Sequence, residues 1–149
     1  MSTSGDGRAE RRHPHPSGPH PSVPSRLLLV RHGESDWNRD RRIQGQLDPP
    51  LSDGGQRQAR LLGERLARHR FVAFYASDLC RSMQTAAAVG EAMGTDPVPL
   101  PELREVALGE WEGKTSAQLA EEYPDRWEAW VRHPSWDLVP QGEGAKPFE

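Results

Sequence analysis

The sequence predicts an α/β domain in which a mostly parallel sheet is flanked by helices. Two apolar stretches, at residues 27–30 and 72–76, have the length and composition of buried strands. A segment with the apolar spacing of an amphipathic helix follows each of them, which gives a strand, helix, strand, helix order. Such alternation is typical of a parallel sheet with right-handed helical crossovers.

The first predicted strand, residues 27–30, reads LLLV, and this continuous apolar run suits a strand buried on both faces of a parallel sheet. The helix after it is predicted to begin near Ser52 or Asp53, because either side chain can cap a helix. Gln56 has the spacing that closes a capping box on Asp53. The apolar residues predicted to face the core are Ala59, Leu62 and Leu66.

The second predicted strand, residues 72–76, is followed by Ser77, which is placed to cap the next helix. Glycine and prolines within residues 94–101 end that helix and lead into another extended segment. One side of the helix carries an apolar stripe of Met83, Ala86, Ala87, Gly90 and Met93.

Two short helices are predicted further along the chain. Thr115 with Gln118, and Asp125 with Glu128, both have the spacing of a capping box. Pro124 separates the two helices. We expect the four tryptophans of this region to pack in the core or a lid rather than to contact substrate; they are Trp111, Trp127, Trp130 and Trp136.

The composition of the sequence limits which partners and which cellular location we expect for the protein. The 149 residues suit one domain, and a net charge of -3 without a basic stripe gives no indication of nucleic-acid binding. No apolar run approaches the roughly 20 residues that cross a bilayer, so we expect no membrane association. Cys80 is the single cysteine, so no internal disulfide can form and a cytoplasmic location is the default expectation. We expect Cys80 to have a packing role.

The amino-terminal 25 residues are rich in Pro, His and Ser and contain almost nothing that could be buried. We expect residues 1–25 to form a disordered tail, because such a composition cannot offset the entropy of ordering. The domain is expected to occupy residues 26–149.

Polar residues that suit phosphate chemistry follow the first predicted strand. Ligands of open α/β sheets bind at the carboxyl ends of the strands, where Arg31, His32 and Gly33 fall. A neutral imidazole can attack phosphorus, and a guanidinium can form bidentate hydrogen bonds with phosphoryl oxygens. Gly33 allows the backbone to turn close to a ligand. These residue types suit a phosphate site with His32 as its nucleophile, although a histidine taken alone at this position is more often structural.

The sequence LVRHGESDWN at residues 29–38 closely resembles the signature of the histidine phosphatase superfamily, the phosphoglycerate-mutase-like proteins. The resemblance keeps its order and spacing over nearly all of residues 27–145. Its other segments are QG at 44–45, DPPLS at 48–52, QA at 58–59, SDLCRSMQTA at 77–86, LRE at 103–105 and GEWEG at 109–113.

The resemblance implies a three-layer phosphoglycerate-mutase-like domain and a phosphohistidine intermediate on His32. It identifies Arg31 and Arg81 as the arginines that clamp phosphate, and Glu105 as the general acid. It further implies substrate contacts from Asn38, Gln44 and Gly45. Because arginines supply the positive charge, we expect no metal and no cofactor, and the expected partner is a small phosphorylated substrate.

One part of the family pattern is missing from the sequence. The family site has a second histidine in a late Val-x-His-Gly segment, and the sequence contains no such segment. His133 lies at the end of a predicted helix, which does not suit that role. Residues 140–144 (PQGEG) resemble the loop that precedes the missing segment in relatives. We therefore expect a domain that is truncated at its C-terminus, with catalysis weakened on the order of 10²–10³-fold.

Three functions remain open at this point. The leading interpretation is a phosphomonoester phosphatase. A phosphoglycerate mutase, which retains the phosphoryl group on His32 and excludes water, is the nearest alternative. A noncatalytic phosphate-binding module or an inactive truncated fragment is the alternative of another class. The sequence leaves the identity of the phosphomonoester and the oligomeric state open.

Overall fold

The computed structural model describes residues 26–135 and 138–139. The predicted tail at residues 1–25, Trp136 and the predicted loop at residues 140–144 lie outside the described residues. In chain order the elements are α1 (Asp36–Arg39), α2 (Asp53–Leu66), β1 (Tyr75–Ala76), α3 (Cys80–Met93), β2 (Val98–Pro99), α4 (Ser116–Glu122) and α5 (Pro124–Arg132). Two 3₁₀ turns, Pro101–Leu103 and Gly109–Trp111, lie between β2 and α4.

The fold is α/β, as predicted, and its described sheet is parallel. Strand β1 pairs with β2, so that Tyr75 lies opposite Val98 and Ala76 opposite Pro99. Helix α3 forms the crossover between the two strands, and α2 packs along α3. The helices thus flank a parallel pair of strands, which is the arrangement that the alternating pattern indicates.

Helices α2 and α3 approach each other closely because small residues lie between them. Ala59 is 1% exposed, and a Cβ atom at Gly63 would lie 2.9 Å from the carbonyl oxygen of Ala88. Leu66 is also buried and Leu62 is half-buried, so the predicted apolar stripe of α2 is confirmed.

The buried face of α3 differs in part from the predicted stripe. Ala86 and Gly90 are buried as expected, but Ala87 is exposed. The remaining buried residues of the helix are Arg81, Thr85 and Val89. Two polar side chains therefore occupy the face of α3 that the apolar pattern assigned to hydrophobic residues.

The caps of α2 and α3 differ from two predicted details. Ser52 caps α2 and accepts a hydrogen bond from Gly55 N at 3.0 Å, and the predicted box between Asp53 and Gln56 is not formed. Helix α3 begins later than predicted, at Cys80, and Ser77 does not cap it. The carboxylate of Asp48, from a preceding loop, accepts the hydrogen bond of Cys80 N at 2.7 Å instead.

The two short helices α4 and α5 occur where they were predicted. The capping box of Thr115 and Gln118 is present at the start of α4. The predicted box of Asp125 and Glu128 is wrong, because α5 begins at Pro124, so that Asp125 is the second residue of the helix rather than its N-cap.

The prediction of a buried strand at residues 27–30 is wrong for the described structure. Leu27 and Leu29 are 84% and 83% exposed, and these residues form no ladder with another described strand. The strand predicted at residues 72–76 is also reduced, to Tyr75–Ala76. Both differences have one physical reason: the described sheet contains only β1 and β2, so residues 27–30 have neither a neighbouring strand nor a covering layer.

A second apolar cluster lies between the α4–α5 pair and the preceding loop. Trp111 is fully buried, and its ring makes edge-to-face contacts with Trp127 and Trp130 at centroid distances of 5.6 and 5.3 Å. Leu119 is buried in the same cluster. The predicted packing role is confirmed for Trp111, which contributes a large buried area.

Two glycines allow the loop that follows residues 27–30 to lie against the first turn of α2. A Cβ atom at Gly55 would lie 2.0 Å from the carbonyl oxygen of Glu34, and one at Gly33 would lie 2.6 Å from the carbonyl oxygen of Gly55. Both obstacles are backbone atoms, which cannot turn away as a flexible side chain can. The contact therefore requires glycine on both sides.

We expect Gly55→Ala to destabilise the protein by about 1–3 kcal/mol, because the new methyl group must displace main-chain atoms. In an ordinary helical position the same change would raise helix propensity and stabilise the fold. Urea unfolding of both proteins measures the difference. Gln56→Ala, at an exposed neighbouring position of the helix, is the control and should change stability by less than about 0.5 kcal/mol. Equal stability of Gly55→Ala and wild type would contradict the tight contact.

Candidate active site

The loop that carries His32 is held by hydrogen bonds from both flanking helices. Thr85 of α3 accepts from Gly33 N at 3.0 Å with its hydroxyl oxygen and donates to the carbonyl of Arg81 at 2.8 Å. Gln58 of α2 accepts from Glu34 N at 2.9 Å with its side-chain oxygen. The main chain on the C-terminal side of His32 is thereby fixed to α2 and α3.

A short hydrogen bond fixes the tautomer of His32. Its Nδ1 lies 2.7 Å from the carbonyl oxygen of Gly33. A carbonyl oxygen only accepts, so Nδ1 carries the proton, and in the neutral ring Nε2 keeps its lone pair. The imidazole is half-buried, and the nitrogen that can act as a nucleophile is Nε2.

The surroundings of His32 favour its neutral form. Burial lowers the pKa of the ring, and the positive charges of Arg81 and Arg31 lower it further. The hydrogen bond with Gly33 and the charge of Glu105 raise the pKa, but these effects are smaller, and the pKa of His32 remains below its ordinary value of 6.5. At neutral pH the imidazole is therefore held as a base rather than as a cation.

His32 opens onto a small cavity of about 100 Å³. Arg31, Gln58 and Thr85 line it together with His32, and the remaining lining residues are Gly33, Ala59 and Leu62. A liquid water occupies about 30 Å³, so the cavity has room for a group of roughly phosphoryl size. Of the predicted site residues, Arg31 and His32 share this cavity.

Arg81 lies buried near His32, and its guanidinium is only 2% exposed. Nη2 donates to the carbonyl of Gly45 at 2.8 Å, and Nη1 donates to the carbonyl of Leu47 at 3.0 Å. The Asp48 carboxylate lies 3.8 Å from Nη1, and Nε has no hydrogen-bond partner among the residues that the structure describes. Burial lowers the pKa of Arg81, while the charge of Asp48 opposes that shift. The structure thus puts a buried positive charge close to the imidazole.

Glu105 is exposed, in the segment that follows the Pro101–Leu103 turn. Its carboxylate accepts from Val106 N at 3.0 Å, and its carbonyl accepts from the side chain of Gln46 at 3.1 Å. Arg104, the preceding residue, is bound by two hydrogen bonds to the Asp78 carboxylate, one of them with Nε–Oδ1 at 2.6 Å. This pair attaches the Glu105 segment to the loop between β1 and α3.

Two of the other predicted substrate contacts, Asn38 and Gln44, take part in the capping network of α1. The side-chain oxygen of Asn38 accepts from Ser35 N, and Gln44 accepts from the Ser35 hydroxyl at 2.6 Å. Gly45 has a left-handed backbone with φ of 52° and presents its carbonyl to Arg81. None of these three residues lines the His32 cavity.

Sequence reasoning did not assign roles to three side chains that organise the site: Gln58, Thr85 and Glu112. The first two hold the main chain beside His32, and the third binds main-chain N–H groups of two loops. Each lies within a segment that resembles the family. Periodicity alone could not identify them, because a polar residue on a helix face usually indicates exposure to solvent.

Cys80 is partly buried, and burial raises the pKa of its thiol, an effect that the charge of Asp48 strengthens. The uncharged thiol is a weak nucleophile. Within the described residues, no group of three or more His, Cys, Asp or Glu side chains is arranged to hold a metal ion. The helices of the described part are also too short or too polar to cross a membrane.

Comparisons with known proteins agree with these motifs. A family model described as the histidine phosphatase superfamily (branch 1) matches residues 27–149. Phosphoserine phosphatase 1 of Hydrogenobacter thermophilus is 38% identical over 109 residues, which cover 73% of this chain and 52% of that protein. A Serratia proteamaculans protein named "Probable phosphoglycerate mutase GpmB" is 38% identical over 118 residues, covering 78% of this chain and 54% of the relative.

Solved structures show the same relationship. YhfR of Bacillus stearothermophilus superposes with a TM-score of 0.69 at 36% identity, covering 76% of this chain and 56% of that chain. A mycobacterial glucosyl-3-phosphoglycerate phosphatase complexed with VO3 gives a TM-score of 0.63 at 39% identity, covering 66% and 47%. The chain spans about half the length of the curated relatives it matches. With a family model that matches most of its length, this chain belongs to the histidine phosphatase superfamily.

Proposed function

We propose that the protein is a phosphomonoester phosphatase that acts through a phosphohistidine on His32. The observation that carries this proposal is the hydrogen bond between His32 Nδ1 and the carbonyl of Gly33, at 2.7 Å. It leaves Nε2 unprotonated in a residue that lines a cavity of about 100 Å³, with Arg31 also in the lining. A neutral nucleophile next to a guanidinium is the combination that phosphoryl transfer from a dianion requires.

In the first step, Nε2 of His32 attacks phosphorus in line with the ester oxygen, so that an N–P bond forms as the P–O bond breaks. Arg31 donates hydrogen bonds to the phosphoryl oxygens, and Arg81 adds its positive charge. Glu105, as the general acid, gives a proton to the departing alkoxide, which leaves as an alcohol. The proximity of Glu105 is supported by its effect on the pKa of His32.

In the second step, water attacks the phosphorus of phosphohistidine. The Glu105 carboxylate takes a proton from this water, the N–P bond breaks, and inorganic phosphate leaves with His32 restored. Arg31, Arg81 and His32 are used in both steps.

A phosphoglycerate mutase is the second candidate, and the relatives that carry this name support it. A mutase returns the phosphoryl group to a second hydroxyl of its substrate and must exclude water from phosphohistidine. Phosphatase names among the relatives, one for a phosphoserine and one for a glucosyl-3-phosphoglycerate enzyme, support a small phosphomonoester as substrate.

We expect His32→Ala to reduce turnover of p-nitrophenyl phosphate, without added metal, by at least about 10³-fold, because the nucleophile is lost. A radioactive phosphoryl group should be trapped on the wild-type protein by rapid quenching and be absent from the variant. His69→Ala, at an exposed position, is the matched control and should retain activity.

Equal activity of wild type and His32→Ala would contradict the phosphohistidine mechanism. If the folded wild-type chain turns over no phosphomonoester but binds phosphate through His32 and Arg31, the noncatalytic phosphate-binding module becomes the correct interpretation.

We expect Glu105→Gln to slow hydrolysis of an alkyl phosphate by about 10²–10⁴-fold, since the leaving alkoxide then receives no proton. The loss with p-nitrophenyl phosphate should be smaller, because p-nitrophenolate leaves readily without protonation. Parallel kcat measurements on the two substrates give this ratio. Glu102→Gln, on the neighbouring exposed turn, is the control, and an equal loss on both substrates would argue against a general acid.

We expect Arg31→Gln to raise the pKa of His32, because a positive charge that disfavours the imidazolium is removed. As the pH falls, His32 would then become protonated at a higher pH than in wild type. The acid limb of the kcat/KM profile would shift to higher pH by the same amount. Titration of the His32 ring by NMR measures the shift directly. Arg39→Gln, at an exposed arginine paired with Asp36, should leave the pKa unchanged. A lower pKa in Arg31→Gln would contradict the assigned electrostatics.

A further inference from the structure

Glu112 binds three main-chain N–H groups with one carboxylate. Its Oε1 accepts from Gln46 N at 2.9 Å and from Leu108 N at 2.7 Å, and its Oε2 accepts from Leu47 N at 2.9 Å. The side chain is half-buried. Gln46 and Leu47 belong to one loop and Leu108 to another, so this carboxylate joins two segments that are distant in sequence.

The first of these loops controls the surroundings of Arg81. The carbonyls of Gly45 and Leu47, on either side of Gln46, accept the hydrogen bonds of the Arg81 guanidinium. Glu112 thus binds the N–H of Leu47, while Arg81 binds its carbonyl. A displacement of this loop would move the acceptors that set where the guanidinium lies.

The second loop continues from Glu105. Only two residues separate Glu105 from Leu108, and the Gln46 side chain donates to the Glu105 carbonyl at 3.1 Å. Both the Arg81 acceptors and the Glu105 segment are therefore bound to one point, the Glu112 carboxylate.

The local backbone is arranged around this carboxylate. A Cβ atom at Gly45 would lie 2.0 Å from Oε1 of Glu112, and the left-handed φ of Gly45 also favours glycine. On the other side, the fully buried Trp111 precedes Glu112 and anchors its main chain in the second apolar cluster. The charge of Glu112 also raises the pKa of Arg81, against the effect of burial.

We propose that Glu112 is a positioning residue of the active site, which sets the relative placement of the Arg81 guanidinium and the Glu105 segment by binding the main chain of both loops. This inference deepens the proposed phosphatase function and rests on it for its kinetic consequence. Glu112 touches neither the cavity nor the reacting atoms, and it acts through Arg81 and Glu105.

Glu112→Gln is the informative variant because it keeps size and shape but replaces one acceptor oxygen by an NH₂ group. With its oxygen at the Oε1 position, glutamine would place N–H groups against Leu47 N, and two donors cannot bond each other. Glu110→Gln is the matched control. Glu110 lies two residues away. Its carboxylate accepts a hydrogen bond from the hydroxyl of Tyr123, a residue that belongs to neither loop.

We expect Glu112→Gln to lower kcat for p-nitrophenyl phosphate by about 10–100-fold with a smaller change in KM, because misplaced groups weaken transition-state stabilisation more than substrate binding. Glu110→Gln should retain wild-type kcat. Both variants are assayed at a temperature where circular dichroism shows them fully folded. If Glu112 had only a structural role, kcat per folded molecule would then be the same as in wild type.

NMR of the same proteins provides a measurement that does not depend on turnover. In Glu112→Gln the Nε–H resonance of Arg81 should shift, and the amides of Gln46, Leu47 and Leu108 should exchange faster with solvent. A kcat within about twofold of wild type in folded Glu112→Gln would overturn the proposal. If the wild-type chain shows no His32-dependent turnover, the phosphatase function fails. The positioning role of Glu112 is then overturned by an unchanged Arg81 resonance and supported by a shifted one.

Discussion

The close contact between the His32 loop and the first turn of α2 is the constraint on which the rest of the site depends. Gly33 and Gly55 bring two main chains within a distance that excludes any Cβ atom. Once the chains are that close, Ser52 N can donate to the Glu34 carbonyl at 2.9 Å, and Gln58 can reach Glu34 N. These bonds hold His32 between α2 and α3 without using the imidazole itself, which therefore stays available for chemistry.

A buried guanidinium forms the second centre of the site. Removing Arg81 from water is costly, and the carbonyls of Gly45 and Leu47 offset that cost by accepting its hydrogen bonds. The charge in turn favours the neutral form of His32. The position of the loop at residues 45–47 therefore affects the protonation of His32 through Arg81. The carboxylate of Glu112 binds the main chain of this loop, which supplies the acceptors of Arg81.

The exposed residues 27–30 show where local sequence and tertiary environment disagree. Their LLLV sequence belongs to a buried strand, but Leu27 and Leu29 are mostly exposed in the described structure. A strand becomes buried only when neighbours cover it, and the described sheet contains only β1 and β2. The chain spans about half the length of its curated relatives, so the comparison covers only part of each relative's domain.

The sequence by itself determined the α/β class, the positions of α2, α4 and α5, and the family, because helical periodicity, the Ser52 and Thr115 caps and the LVRHGESDWN sequence at residues 29–38 are local patterns. Tertiary structure alone decided that Asp48 caps α3, and that Gln58, Thr85 and Glu112 organise the site. Each of these side chains binds at least one main-chain group that is 24 to 66 residues away. No local pattern encodes a hydrogen bond over that separation, since it exists only after distant segments have packed together.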